Sequence, residues 1–346
     1  MKDRRYRGYR GRGRASTGLK VFIVLLLVVL VAAVGALFWL EPYVVYSADG
    51  VRIELPFFHK REPEPQYTAP VAVATPEVTP TPVPMQETAF RGLLLPDSAL
   101  SDGTAAGQLE AAGANAAIFD MKGDDGSLAY VSDLPIAIEA QVSAADPGLN
   151  EAIRQFNEGD VYTVARVSCF RDDTVPRGRM DLAIKTSAGN WRDTWDHRWL
   201  SPANEEARAY VIGVCRELAE LGFDELLLDN CAFPTQGRLD WIVENDNYRA
   251  DALMEDLTAF FQELSAALAD WPELKISVVT TSAALAGEDD KSGQTADLLA
   301  GQADRVLVRA EEGTELPALG EVPVVPILAQ PGGADGIWAA VDLGTG

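Results

Sequence analysis

Cysteine and histidine are scarce in this 346-residue chain: three of the first, Cys169, Cys215 and Cys231, and two of the second, His59 and His197. Three cysteines at these spacings make neither a disulfide scaffold nor a zinc site, and two distant histidines do not make a histidine-rich metal centre. Cys169 and Cys231 each follow a strand-like run, so they read either as independent free thiols or as one bridge outside the cytoplasm. A glycine-rich phosphate loop is also missing after the first strand-like run, and no dinucleotide fingerprint occurs. Neither a metal nor an organic cofactor is expected.

Positive charge is confined to one end. The formal net charge is −23, yet residues 1–20 carry Lys2, Arg4, Arg5, Arg7, Arg10, Arg12, Arg14 and Lys20 against Asp3, a surplus of +7 that leaves −30 on the rest. A body this acidic repels nucleic acid and anionic polymers and favours a neutral or cationic partner. The leader RRYRGYRGRGR is similar to Arg-Gly segments that touch RNA, with Tyr6 and Tyr9 available for stacking. Next to a long apolar run, however, it reads as a topogenic, lipid-facing tail.

That run is Val21–Leu40, free of charge throughout. At about 1.5 Å per residue it spans a hydrocarbon core near 30 Å, and it is longer than the apolar region of a cleaved signal peptide. The positive-inside rule puts residues 1–20 in the cytoplasm and the large domain outside a cell membrane crossed once. Residues 41–63 alternate apolar and polar positions around Ala48-Asp49-Gly50 and predict a short juxtamembrane hairpin. Residues 64–88 are rich in Pro and Thr and predict an extended spacer.

From residue 89 to 346 strand-like and helix-like stretches alternate. Apolar runs at Arg91–Leu95, Asn115–Asp120, Val161–Phe170, Glu225–Asp229, Lys275–Thr280, Arg305–Arg309, Val322–Leu328 and Gly336–Val341 predict strands. Between several of them, 103–112, 150–157, 204–221, 248–269 and 295–302 carry apolar residues at three- and four-residue spacing, as helices do. Ser201 and Pro202 read as the start signal of the third of these. Continuous apolar strands alternating with helices indicate a covered parallel sheet, and about eight of them is the size of a (β/α)8 TIM-type barrel. An open doubly wound sheet is the alternative.

In such a barrel the strand C-termini form the reaction face. Polar groups collect there: Asp120 and Lys122 on the second strand, Arg166 and Ser168 on the third, Asp229 and then Asn230 and Phe233 after the fourth. A side-chain period of two predicts that Asp120 and Lys122 share a face, so that Lys122 and Arg166 favour ionised Asp120 and Asp229. A structural ion network closing the barrel top is the competing reading. Trp191, Trp195 and Trp199, interleaved with Arg192, Asp193, Asp196 and His197, offer apolar faces with polar rims for stacking on sugar, or else staple a loop to the barrel.

The order AAIFDMKGDDGSLAY, VARVSCFRDD, NWRDTWDHRWLSP and ELGFDELLLDNCAFP resembles the putative glycosyl hydrolase domain family, barrel proteins of bacterial envelopes related to glycoside hydrolases. By that resemblance Asp120 and Lys122 stand at the family's Asp-x-Lys position and Arg166 at its third-strand Arg. Trp191, Asp193 and Trp199 stand in its tryptophan loop, and Asp229 at the acid of its Phe-Asp-Tyr-x-Arg-Phe-Pro motif. The Tyr and Arg of that motif are replaced here within Asn230-Cys231-Ala232, and the strand ends after Arg309 and Leu328 depart from the family's pattern. Hydrolysis of a glycosidic bond needs a second carboxyl. The fifth strand ends without one, which leaves Asp120 and Glu311 as candidates beside Asp229. The resemblance implies a barrel acting on an envelope or extracellular polysaccharide, with Lys122, Arg166, Trp191, Asp193, Trp195, Trp199, Asn230 and Phe233 lining its site. The alternative is a catalytically inactive barrel that binds carbohydrate or scaffolds envelope proteins.

Overall fold

The computed structural model describes residues 44–47, 50–53, 89–309 and 315–341. The basic leader, Val21–Leu40, the 64–88 spacer and Glu311 lie outside the described residues. Among the described residues no helix is long and apolar enough to cross a membrane. In the unit Met1–Thr81, β1 (Val44–Ser47) and β2 (Gly50–Ile53) pair antiparallel with Ser47 opposite Gly50.

The unit Pro82–Gly346 is built on a closed barrel of eight parallel strands. Its strands, in chain order, are β3 (Arg91–Leu94), β4 (Ala116–Lys122), β5 (Tyr162–Ser168), β8 (Glu225–Asp229), β9 (Lys275–Thr280), β10 (Arg305–Arg309), β11 (Val324–Leu328) and β12 (Trp338–Ala340). Each pairs with the next and β12 closes onto β3. A small antiparallel hairpin, β6 (Lys185–Thr186) and β7 (Gly189–Asn190), sits in the connection after β5. The open-sheet alternative is therefore excluded.

Helices follow the first five barrel strands. They are α1 (Ala105–Ala112), α2 (Pro135–Ala140), α3 (Leu149–Asn157), α4 (Val175–Gly178), α5 (Glu205–Glu220), α6 (Leu253–Ala267), α7 (Ser282–Ala286) and α8 (Ala296–Gln302). Among the described residues none follows β10 or β11, so the helical jacket is thinner on that side. Two helix starts differ from the sequence-based expectation. Asn204, not Ser201, caps α5, accepting from the Glu206 and Ala207 amides at 3.1 Å. The Ser201 hydroxyl instead accepts from the Ala203 amide and donates to the Asn247 carbonyl, which stops the helix from starting three residues earlier. Similarly, α6 begins at Leu253 rather than Tyr248, because Asn245 and Tyr248 bond to each other in a turn.

The strand β8 shows how the barrel is filled. Leu226 and Leu228 pack outward under the helices, while Leu227 points inward among Ile118, Val164, Val279, Leu307 and Val325. Full burial of each leucine is worth roughly 1.5–3 kcal/mol. The inward parity of Leu227 also puts Glu225 at the foot of the barrel and Asp229 at its mouth. At the foot, Glu225 pairs with Arg305 at 3.0 Å and accepts from the Tyr162 hydroxyl at 2.7 Å. Burial pushes the Glu225 carboxyl above its usual range, with Arg305 opposing.

Candidate active site

Three strands deliver the polar groups of the mouth, and Arg166 organises them. Its Nη1 donates to Asp120 Oδ1 at 2.7 Å, its Nη2 to Asp124 Oδ1 at 2.6 Å and to Asp229 Oδ2 at 2.8 Å, and its Nε to Asp229 Oδ2 at 3.1 Å. Burial disfavours the Arg166 charge, but Asp229, then Asp120 and Asp124, outweigh it and hold the guanidinium protonated. Since Asp120 and Asp229 grip one planar fork through contacts of 2.7 and 2.8 Å, their bonded oxygens lie within about 8 Å of each other. Asp124, missed in the sequence reading, is the hinge to a second guanidinium, because its Oδ2 accepts from Arg171 Nη1 at 2.5 Å. Burial raises the Asp124 pKa, and Arg166 and Arg171 together bring it below its ordinary value.

Lys122 does not belong to this group. The β4–β5 register shifts between Asp120 and Lys122, a bulge that breaks the period of two and turns Lys122 away from the inward face. There it is completely buried, 2.9 Å from Asp172 Oδ2, and it donates to the Ser168 carbonyl at 2.8 Å. The expectation that Lys122 touches substrate or steadies Asp120 and Asp229 is corrected accordingly. Gly126 closes the turn beside this pair at φ 89°, and a Cβ there would come within 2.2 Å of Asp172 Oδ1.

Asp229 is 3% exposed. Its Oδ1 accepts from the Asn230 amide at 2.8 Å, and Arg309 Nη2 stands 3.8 Å from its Oδ2. Asn230 adopts φ 48°, a left-handed conformation that asparagine tolerates better than most residues. Its Nδ2 thereby donates to Ser168 Oγ at 2.9 Å and Asp124 Oδ1 at 3.1 Å. Asn230 thus ties the strand end to the carboxylate network.

The tryptophan loop divides into two roles. Trp191 is 1% exposed and donates from Nε1 to the Arg238 carbonyl at 2.8 Å, so it staples the loop and does not meet solvent. Asp193 is buried and takes four bonds, from Arg171 Nε, Trp199 Nε1 and the amides of Trp195 and His197. Trp199 is buried too, while Trp195 is 39% exposed with Arg171 lying 4.9 Å from its ring centroid. Replacing Trp191 with Ala is therefore expected to lower stability by roughly 3–5 kcal/mol, whereas Trp195→Ala leaves the urea midpoint nearly unchanged.

A cleft of about 360 Å³ opens over Asp229. Trp195, Trp199, Asn230 and Phe233 form part of its lining, together with Asp289 and Arg309. Phe233, itself buried, packs edge-on against Tyr248 at 5.7 Å. Gln294 binds the two walls together, accepting from Thr280 Oγ1 at 2.8 Å and donating to the Cys231 carbonyl at 3.0 Å. Asp289 was not legible as a site residue: it lies nine positions past the end of β9, and α7 carries the chain back over the mouth. Its Oδ1 accepts from the Lys291 and Ser292 amides at 2.8 and 3.0 Å. Among the described residues its Oδ2 has no hydrogen-bond partner. Asp97, after β3, is a further acid near the rim, its carboxyl pushed up by desolvation and by Asp120.

Cys169, Cys215 and Cys231 are buried free thiols. Burial, then the neighbouring Cys231, pushes the Cys169 thiol well above its usual range. Slow reaction with a thiol reagent until the protein unfolds is the expected outcome, read as absorbance against urea. Among the described residues no group of His, Cys, Asp and Glu has the arrangement of a metal site.

The closed parallel barrel gathers carboxylates and an exposed tryptophan at its C-terminal mouth, the face on which barrel enzymes carry their sites. The chain belongs to the putative glycosyl hydrolase domain family, whose pattern matches residues 107–308 and so extends past Pro234 to β10. No curated protein matches it. Among solved structures it is similar to a hypothetical protein from Ruminiclostridium thermocellum, with 26% identity, 54% of this chain and 96% of that one covered, and a TM-score of 0.45. The PgaB (BpsB) glycoside hydrolase domain from Bordetella bronchiseptica is 14% identical over 66% of this chain and 77% of that one, TM-score 0.48. The PelA glycoside hydrolase domain from Pseudomonas aeruginosa is 13% identical over 69% and 83%, TM-score 0.40. Likenesses this distant assign no residue here.

Proposed function

We propose that this protein hydrolyses a glycosidic bond in an envelope or extracellular polysaccharide, held at the cell surface by Val21–Leu40 with residues 1–20 in the cytoplasm. In this reading residues 41–63 lie next to the membrane, 64–88 are the spacer and 89–346 are the working domain. The observation that carries the activity is the opening of Asp229 and Asp289 onto one cleft. Asp229, a carboxylate paired with Arg166, is suited to face the positive charge that develops at the anomeric carbon. It does so by attacking that carbon or by activating a water. Asp289, which lines the same cleft and whose Oδ2 has no hydrogen-bond partner among the described residues, is the carboxyl assigned to the leaving oxygen. Asp120, bound to the same guanidinium as Asp229, is the alternative second carboxyl. Trp195 supplies the stacking face, and the barrel's net acidity favours an uncharged or cationic glycan.

A donor role makes a specific demand. Asp289→Asn is expected to abolish turnover of natural glycans but to spare aryl glycosides whose leaving group needs no proton. Equal loss on both substrate types would remove Asp289 from that role. A second reading, a barrel that binds glycan without cleaving it, draws support from the enclosure of Asp229, both of whose oxygens are engaged by Arg166 and the Asn230 amide. Glycan retention without any product in a hydrolysis screen of envelope and exopolysaccharides would favour that second reading.

A further inference from the structure

The tryptophan loop borders more than the cleft over Asp229. On the far side of that loop lies a second, larger depression of about 770 Å³, and Asp193 lines both. Its floor includes Trp191, and its walls come from the β6–β7 hairpin and from the 238–243 segment. Trp241 stands in it 55% exposed, with the Arg238 guanidinium 4.2 Å from its ring centroid. Of the large apolar side chains exposed among the described residues, the two tryptophans are Trp195 and Trp241, one in each depression.

Each charged side chain around this groove is ion-paired, Asp193 with Arg171 at 2.8 Å. Arg192 Nη1 meets Asp196 Oδ2 at 2.7 Å, and Arg238 holds Asp240 through two contacts of 3.1 Å. A polyanion or a polycation would find no excess of opposite charge, although the chain as a whole is strongly acidic. Neutral hydroxyls, in contrast, meet alternating donors and acceptors beside an aromatic face, the combination that recognises a sugar ring by stacking and by hydrogen bonds to its rim.

We propose that the groove at Trp241 holds further uncharged sugar units of the chain whose linkage lies over Asp229, so that the protein grips a polymer along two adjoining depressions and cuts within it. The inference rests on the glycan reading of the cleft. It adds the length and charge of the ligand: an uncharged oligosaccharide too long for the first cleft alone. The stapled Trp191 holds the two depressions in a constant relation, since it packs beneath the loop that separates them and its Nε1 bonds to the backbone of Arg238.

The test is affinity against chain length, measured with the intact protein by calorimetry. The probes are neutral hexose and N-acetylhexosamine oligomers graded from dimer to octamer. Affinity is expected to climb with length for the native chain, and Trp241→Ala is expected to lose the gain from the longer oligomers, roughly three- to tenfold for one lost stacking contact. Trp241→Phe should recover most of it, and Ile138→Ala, on α2 and outside both depressions, should change nothing. If affinity is flat with length, or climbs equally in Trp241→Ala, the groove is not a subsite, while turnover by the native chain would leave the reading of the cleft intact. If no oligomer of any length binds and none is cleaved, both readings fail together.

Discussion

An Asp229→Asn variant is expected to fold normally and to hydrolyse its glycan at least about a thousandfold more slowly than the native chain. The substitution is nearly isosteric and retains an oxygen to accept from Arg166 or from the Asn230 amide, so the strand end stays in place. It removes the negative charge that an oxocarbenium-like transition state requires on one face of the ring. The loss should fall on kcat, with oligosaccharide affinity largely preserved, because the charge is needed most in the transition state. Asp229 has a second role that predicts a side effect: it is one of three carboxylates that hold Arg166 protonated and buried. Losing one anion leaves Asp120 and Asp124 to do so, and a modest fall in the urea midpoint is the expected trace. Unchanged turnover in Asp229→Asn would exclude this residue from the chemistry.

A stability effect as large as that of Trp191→Ala is expected away from the cleft, at Lys122. Both it and Asp172 are fully buried and 2.9 Å apart. Removing one partner leaves the other as an uncompensated buried charge, so Lys122→Met should lower stability by roughly 3–5 kcal/mol. Asp172 also accepts from the Thr174 and Val175 amides at the start of α4, and its substitution would release that turn as well. The double variant Lys122→Met, Asp172→Leu tests the cause. If desolvated charge dominates, it should be more stable than Lys122→Met alone in a urea titration; if the lost turn dominates, it should be less stable.

How much of the molecule was legible beforehand depended on how local the controlling interactions were. All eight barrel strands were readable within about two residues at most ends, since each is a short, largely apolar run between turn or helix signals. The short helices α2, α4 and α7 escaped, as four to six residues are too few to show a helical period. The tryptophan loop was recognisable by composition. Which ring is stapled and which is free depends on the Arg238 carbonyl, 47 residues away from Trp191.

The sequence by itself determined the barrel, the place of Asp229 at a strand terminus and the convergence of Asp120 and Arg166 beside it. Strand parity is a local property, and it holds as far as Asp120, Arg166 and Asp229 on three adjacent strands, which brings these residues to one mouth. Tertiary structure alone decided the rest of the site. A one-residue bulge in β4 took Lys122 out of it, the turn after β4 brought Asp124 in, and the excursion through α7 set Asp289 over the cleft. None of these follows from residue type or spacing, because each depends on where a turn returns the chain in space.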